Sequence, residues 1–282
     1  MFSPELFASL IALCAALSWG AADFSGGIAS KRANVFTVVL FAHGTGLLFM
    51  IAMALIIHEH TPTRLALLWG TIAGLSGAVG LLSLYRALAI GKMGINAPVA
   101  AVITAVLPVG YGVMTQGWPK LLQFAGFAVA LVAIWLIALP EGDLGRPKGI
   151  GLAMLAGVGF SGFLLFSRLA GAGDIYWPLA ASRLASVVLI TVLLAFRRPP
   201  DWRPSPRVLP FMLVSGILDS LGNALFVLAT HRGRLDVAAV LSSLYPASTV
   251  VLAWIVLKER ASRLQLLGMV LALISVALIA SA

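Results

Sequence analysis

Polar residues along this chain fall in short intervals. Between them run ten apolar stretches, at about 5–29, 34–57, 64–90, 94–116, 120–139, 148–170, 176–196, 208–230, 235–257 and 262–281. An α-helix needs roughly 20 apolar residues to cross about 30 Å of hydrocarbon, and every stretch is near that length or beyond it. The pattern predicts an all-α integral membrane protein with ten transmembrane helices. The connections are too short to hold a separate soluble domain. Composition agrees: 61% of the residues are hydrophobic and 10% charged, with a mean hydropathy of +1.04, extreme for a water-soluble domain.

The net charge of +9 does not point to nucleic acid, because the basic residues stand singly or in pairs in short connections. They read instead as a basic cap on membrane helices, meeting anionic headgroups on the cytoplasmic side. Loops after odd-numbered segments hold twelve Lys and Arg residues, most densely from Arg197 to Arg207, against five on the opposite side. That count places the odd loops in the cytoplasm and both termini outside. The one cysteine, Cys14, lies within the first segment, so neither a disulfide framework nor a thiol motif is expected. The first segment lacks a basic start, carries Glu5 and is too long for a cleaved signal, so it is expected to stay in the protein.

The chain also repeats itself. Leu122-Gln123-Phe124-Ala125-Gly126, ahead of the fifth segment, echoes Leu264-Gln265-Leu266-Leu267-Gly268 ahead of the tenth. Ala100-Ala101-Val102 with Pro108 matches Ala238-Ala239-Val240 with Pro246 at identical spacing. The expectation is two five-helix repeats, 1–141 and 148–282, joined by the polar linker at 141–147 in one membrane domain. An odd number of helices per repeat inverts the second copy, the usual build of secondary transporters, whose solute site lies between the repeats near the midplane.

Two five-helix halves, with Ser18-Trp19-Gly20 in the first helix, resemble the EamA-type branch of the drug/metabolite transporter superfamily. The run from Trp19 through Asp23 to Gly27, the run from Tyr85 to Gly91, and the stretch from Pro246 to Lys258-Glu259-Arg260 resemble one subgroup of it. The resemblance spans essentially the whole chain and implies membrane transport, mostly export of metabolites such as amino acids. It also implies cytoplasmic termini, against the charge count. Where the family often carries a glutamate like Glu259, the fifth helix here is preceded by Trp118-Pro119-Lys120.

Ionisable residues inside the bilayer face the bundle interior or a wet cavity and mark function by default. Asp23 and His43 lie at similar distances from the first loop, so the two could meet, as a proton-coupling pair or a structural one. Ser215, Asp219 and Asn223 recur every four residues along one face of the eighth helix. Arg183 in the seventh is a candidate partner for Asp219, or for a solute carboxylate in bidentate geometry. Thr104, Pro108 and Tyr111 share a face of the fourth helix, and Ser242, Pro246 and Thr249 a face of the ninth, with Tyr245 beside them. A mid-helix proline bends the helix and frees a carbonyl, so both helices are candidate cavity walls and gates, or simply kinked for packing.

The expected substrate-binding set is therefore Trp19, Asp23, Tyr111, Arg183, Asp219, Asn223 and Tyr245. Asp23 and His43 are the proton-coupling candidates, and Thr104, Pro108, Ser242, Pro246 and Thr249 the gating and cavity residues. His58-Glu59-His60 sits in a loop and lacks the spacing of a helical metal motif, so it reads as a solvated turn. No GxSxG, phosphate loop or paired cysteines occur, which argues against an enzyme and leaves no catalytic residue, cofactor or metal expected. The function these features predict is secondary-active export of a small metabolite, an amino acid or a relative, by alternating access in the plasma (inner) membrane. The alternatives are an organic-cation or drug/proton antiporter and a non-transporting receptor or scaffold. Expected partners are a small-molecule substrate, the lipid bilayer and protons, with the protein a monomer or homodimer.

Overall fold

The computed structural model describes residues 4–90, 93–138, 148–170, 173–197, 203–258 and 262–280. The linker at 141–147, part of the basic loop at 198–202, and 259–260 with its glutamate lie outside the described residues, as do 91–92 of the fourth segment's approach. The elements are α1 (Pro4–Ser30), α2 (Val35–Ile56), α3 (Arg64–Ile90), α4 (Met93–Gln116), α5 (Leu121–Ala138), α6 (Ile150–Ala170), α7 (Tyr176–Arg197), α8 (Leu209–Arg232), α9 (Leu235–Ser242), α10 (Tyr245–Leu257) and α11 (Arg263–Ala280). Among the described residues nine segments are long and apolar enough to cross a bilayer, with α9 and α10 counted as one, and Arg263–Ile279 is a shorter apolar helix. The protein is an all-α, multi-pass membrane protein.

The chain corrects one expectation: the ninth span is not one helix. It breaks after Ser242, passes through Ser243 and Leu244, and restarts at Tyr245. Pro246 has no N–H to return to the Ser242 carbonyl, and the junction is held by short three-residue bonds, Leu244 N to Leu241 O (3.2 Å) and Ala247 N to Leu244 O (3.0 Å). Pro108 creates the same deficit in α4, yet α4 runs on unbroken. There Ser161 of α6 supplies the missing donor, its hydroxyl reaching Ile103 O at 3.0 Å and Thr104 O at 3.3 Å.

Helix starts are set by local capping. Asn34 accepts from Phe36 N at 3.0 Å, and Thr63 from Ala66 N at 3.1 Å. Ser262 and Gln265 form a reciprocal capping box on α11, with Ser262 N to Gln265 Oε1 at 2.9 Å and Gln265 N to Ser262 Oγ at 3.1 Å. Its counterpart in the first half keeps one arm, Lys120 N to Gln123 Oε1 at 3.1 Å.

Packing joins the halves throughout. The most extensive pairs are α1 with α8, α3 with α6, and α5 with α11; α2 packs on α7 and α4 on α9. Exchanging the halves turns α1–α8 into α6–α3 and maps α2–α7, α4–α9 and α5–α11 onto themselves. The α5–α11 contact keeps this equivalence atom by atom. A Cβ on Gly126 would lie 2.6 Å from the Ile279 side chain, and one on Gly268 would lie 2.8 Å from that of Ile137. Lipid offers no hydrophobic drive between helices, so small residues and interhelical hydroxyl bonds of about 0.6 kcal/mol each must hold the bundle. Ser18 Oγ to Leu218 O (2.6 Å), Ser215 Oγ to Ala22 O (2.9 Å) and Ser76 Oγ to Gly159 O (2.9 Å) are three such bonds.

Successive spans alternate direction, giving a terminal face, with the start of α1 and the end of α11, and a linker face, where α5 ends and α6 begins. Overpacking a tight contact costs about 1–3 kcal/mol. Gly126→Ala and Gly268→Ala should each lower the unfolding midpoint in detergent by similar amounts. Gly151→Ala, where a Cβ meets nothing within 4 Å, should leave it unchanged.

Candidate functional site

Five helices from both halves converge on one polar cluster. Trp19 of α1 donates its indole N–H to Asn223 Oδ1 of α8 at 2.9 Å. It can lie that close because position 222 is glycine: a Cβ there would sit 2.5 Å from the indole ring. The same ring meets Tyr245, the first residue of α10, edge-on with centroids 6.5 Å apart and planes at 87°, and Phe226 at 5.8 Å. The break in the ninth span thus delivers Tyr245 to the tryptophan. Thr249, one turn on, returns its hydroxyl to Gly20 O at 3.1 Å, so α10 is seated on α1.

One turn beyond Trp19, Asp23 lies within electrostatic reach of Asp219 and Tyr245. Asp23 is exposed. Asp219 carries an ion pair with Arg183 of α7. The two partners are unequal: the arginine side chain is 6% exposed and the aspartate 32%. Arg183 is sealed behind the aspartate, against Gly46 of α2, where a Cβ would lie 3.4 Å from Nε. The cluster therefore presents carboxylates outward and hides its guanidinium.

His43 turns toward α7. Its Nδ1 is 2.7 Å from the hydroxyl of Ser186 on α7, a residue 2% exposed, and its electrostatic neighbour is Arg183. The helix-eight stripe divides: Ser215 turns to α1, Asp219 to α7 and Asn223 to Trp19. Tyr111 stands apart, 36% exposed on α4 beside Gly112, which abuts Asp236 of α9. Thr104 and Ser242 are buried and spend their hydroxyls on Ala100 O and Ala239 O, at 2.8 and 3.2 Å. With the buried Pro108 they belong to the packing of α4 and α9, while Pro246 and Thr249 sit at the break beside the cluster.

Sequence reasoning missed Ser186, whose signal was faint, a lone serine one turn from Arg183. It also missed what Glu59 does. Its carboxylate caps α7 from the α2–α3 loop, accepting from the main-chain N–H groups of Ile175 (2.7 Å), Tyr176 (3.0 Å) and Trp177 (2.9 Å). Among the described residues no His, Cys, Asp and Glu group could hold a metal ion.

Comparison with known proteins bears on this cluster through its second-half members. The model of the EamA-like transporter family matches residues 147–281, which include Arg183, Asp219, Asn223 and Tyr245. An uncharacterized protein of Methanocaldococcus jannaschii is 33% identical over 73 residues, 26% of this chain, and the chain spans about half of that relative, 53% of its length. A solved crystal structure superposes with a TM-score of 0.79 at 20% identity, covering 96% of this chain and 97% of the other. That likeness is one of fold.

The unequal exposure of Arg183 and Asp219 predicts unequal mutational costs. Asp219→Leu strands a buried guanidinium and should destabilise by about 3 kcal/mol. Arg183→Met leaves a carboxylate that is 32% exposed and should cost less. Denaturation of both single variants and the double variant in detergent checks the order and the coupling between the sites.

Proposed function

Over residues 147–281 this chain belongs to the EamA-like transporter family, and from that premise we propose a secondary-active exporter of a small polar or amphiphilic metabolite, an amino acid or a relative. The solute sits beside Trp19, Asp23, Asp219 and Tyr245. The observation that carries this reading is the meeting of residues from both halves in one cluster: Trp19 and Asp23 come from the first, Arg183, Asp219, Asn223 and Tyr245 from the second. Alternating access needs a site that each half grips, so that rocking one against the other moves the opening and not the site. Inversion of the halves is supported by packing that survives their exchange and by the paired Gly126 and Gly268 contacts. In this reading the linker face, with its twelve basic residues, is cytoplasmic and the membrane is the plasma (inner) membrane.

Each side chain then has a task. Trp19 and Tyr245, set edge to face, form an aromatic corner for the apolar body of the solute. Asn223 fixes the indole by taking its N–H. Asp23 and Asp219 face a solute amino group, and Arg183 orients Asp219 from behind. Asp23 alternates between proton and solute, so that proton entry releases cargo. His43, bonded to Ser186, acts on Arg183 from the far side and is the second proton-coupling candidate.

Two carboxylates against one guanidinium leave the cluster with one negative charge when both are ionised. That observation favours a second reading, organic-cation or drug/proton antiport, in which Asp23 and Asp219 hold the cation directly.

Asp23→Asn separates the readings in proteoliposomes. The variant should fold and insert, because an amide resembles the protonated acid. If Asp23 handles only the proton, gradient-driven flux should fall about a hundredfold, in the range of a lost proton-transfer group, while counterflow exchange survives. If it binds a cation directly, both activities vanish. Gradient-driven flux at the parent rate would assign this carboxylate a purely structural role.

A further inference from the structure

We infer that Arg234 and Asp236 form a lock that holds the terminal face shut by gripping the last turn of α4. Arg234 caps α9, and its guanidinium is forked on Asp236, with Nε to Oδ1 at 3.0 Å and Nη2 to Oδ2 at 2.7 Å. The same guanidinium reaches across to the other half, Nη1 donating to Gln116 O at 3.2 Å and Nη2 to Gly117 O at 2.7 Å. The Gln116 side chain answers by accepting Leu235 N at 2.9 Å. Behind α4, Gly112 leaves room for Asp236, since a Cβ there would lie 3.0 Å from the aspartate Cβ. The end of α4 is thus fastened to the start of α9 by three hydrogen bonds and a close helix contact.

The bonds divide into a permanent part and a releasable part. Asp236 is fully buried and Arg234 is 23% exposed. Both stand on the same helix start, two residues apart, so no relative motion of the halves separates them. The bonds to α4 are different in kind. Gln116 O and Gly117 O are carbonyls at a helix C-terminus, which lack intrahelical partners and can be handed to water. Moving α4 away therefore strands no charge, because Arg234 keeps Asp236 and the carbonyls gain solvent. A pair that had to part from its own counter-charge would make a staple; this arrangement makes a catch.

What lies around the catch matches that role. Just inside it is a small cavity lined by Glu5, Ser9, Gln123, Arg234, Val237 and Ile279. All eight residues of α9 beneath the catch are buried, whereas α10, beyond the break, has no buried residue. Of the two pieces of the ninth span, α4 packs on α9 and hardly on α10. The ninth span is thus fully enclosed on the terminal side of the break, while on the linker side α10 is only partly buried and rests on α1. The consequence for transport rests on the alternating-access reading above; the lock does not.

The test is made on the full chain in lipid nanodiscs, with Cys14→Ser removing the native thiol and Ser9→Cys placed as reporter. Ser9 is 3% exposed, so a membrane-impermeant maleimide should react slowly in the parent. Arg234→Lys keeps a charge for Asp236 but cannot fork onto two carbonyls. It should speed labelling about tenfold, the weight of one such hydrogen bond. Gln116→Ala leaves the ion pair untouched and should speed labelling in the same direction, which decides the matter should Arg234→Lys fail to fold. A second reporter, Ser205→Cys on the linker face, should keep its rate in both variants. Ser9→Cys labelling at the parent rate in folded variants, or a joint rise at Ser9 and Ser205, overturns the lock. Labelling needs no substrate, so an absence of solute flux would count against the transport reading and leave the lock standing.

Discussion

The ion pair between Arg183 and Asp219 is the constraint around which the rest is arranged. A charge taken into hydrocarbon costs several kcal/mol unless a partner, a dipole or water meets it. Here the arginine is met by the aspartate and packed beneath it, which obliges α7 and α8 to keep register with each other. Gly46 of α2 packs against the same pair of helices: a Cβ there would collide with the Ser220 hydroxyl of α8 and lie 3.4 Å from Arg183 Nε. The aspartate is left partly open, and Asp23 of α1, itself exposed, lies within its electrostatic reach. The polar cluster is therefore asymmetric by construction, with positive charge inside the protein wall and negative charge at its surface.

The second organising constraint is the supply of hydrogen-bond donors to main-chain carbonyls. Two prolines at matched positions each remove one donor from a membrane-embedded helix. Around Pro108 the loss is repaired by Ser161 from α6, and α4 stays whole. Around Pro246 the chain instead breaks, and Ser248 and Thr249 turn their hydroxyls onto Tyr245 O at 2.8 and 3.3 Å. One local deficit thus has two outcomes, decided by a neighbour's hydroxyl. The broken copy is the one that brings Tyr245 against Trp19.

That difference explains where the sequence could be read and where it could not. Ten apolar runs, the polar turns between them and the Ser262-x-x-Gln265 cap are local signals, and the corresponding helices form. Gly126 and Gly268, matched in the sequence, each pack against an isoleucine of the opposite helix. The break at Ser243 was not visible, because matched prolines suggested matched helices and the deciding donor lies 57 residues from Thr104 in the chain. Glu59 was illegible for the same reason: its three N–H partners on α7 are more than a hundred residues away. The Ser215–Asp219–Asn223 stripe was legible as a polar face, but not as a face whose members turn to two different helices. His43 was drawn toward Asp23 by matched depth alone, and depth does not say which neighbour a side chain faces.

The central claim is that a solute sits between Asp23 and Asp219, against Trp19 and Tyr245. It is tested most directly by a thermal-shift screen of amino acids, amines and organic cations on the purified protein in detergent. A solute that binds the folded protein alone stabilises it by an amount that grows with its concentration over Kd, about 2.7 kcal/mol at a hundredfold excess. The account predicts that an amine-bearing solute raises the unfolding midpoint of the parent, and that the increase disappears in the Asp23→Asn/Asp219→Asn double variant. An increase of the same size in that double variant would contradict it.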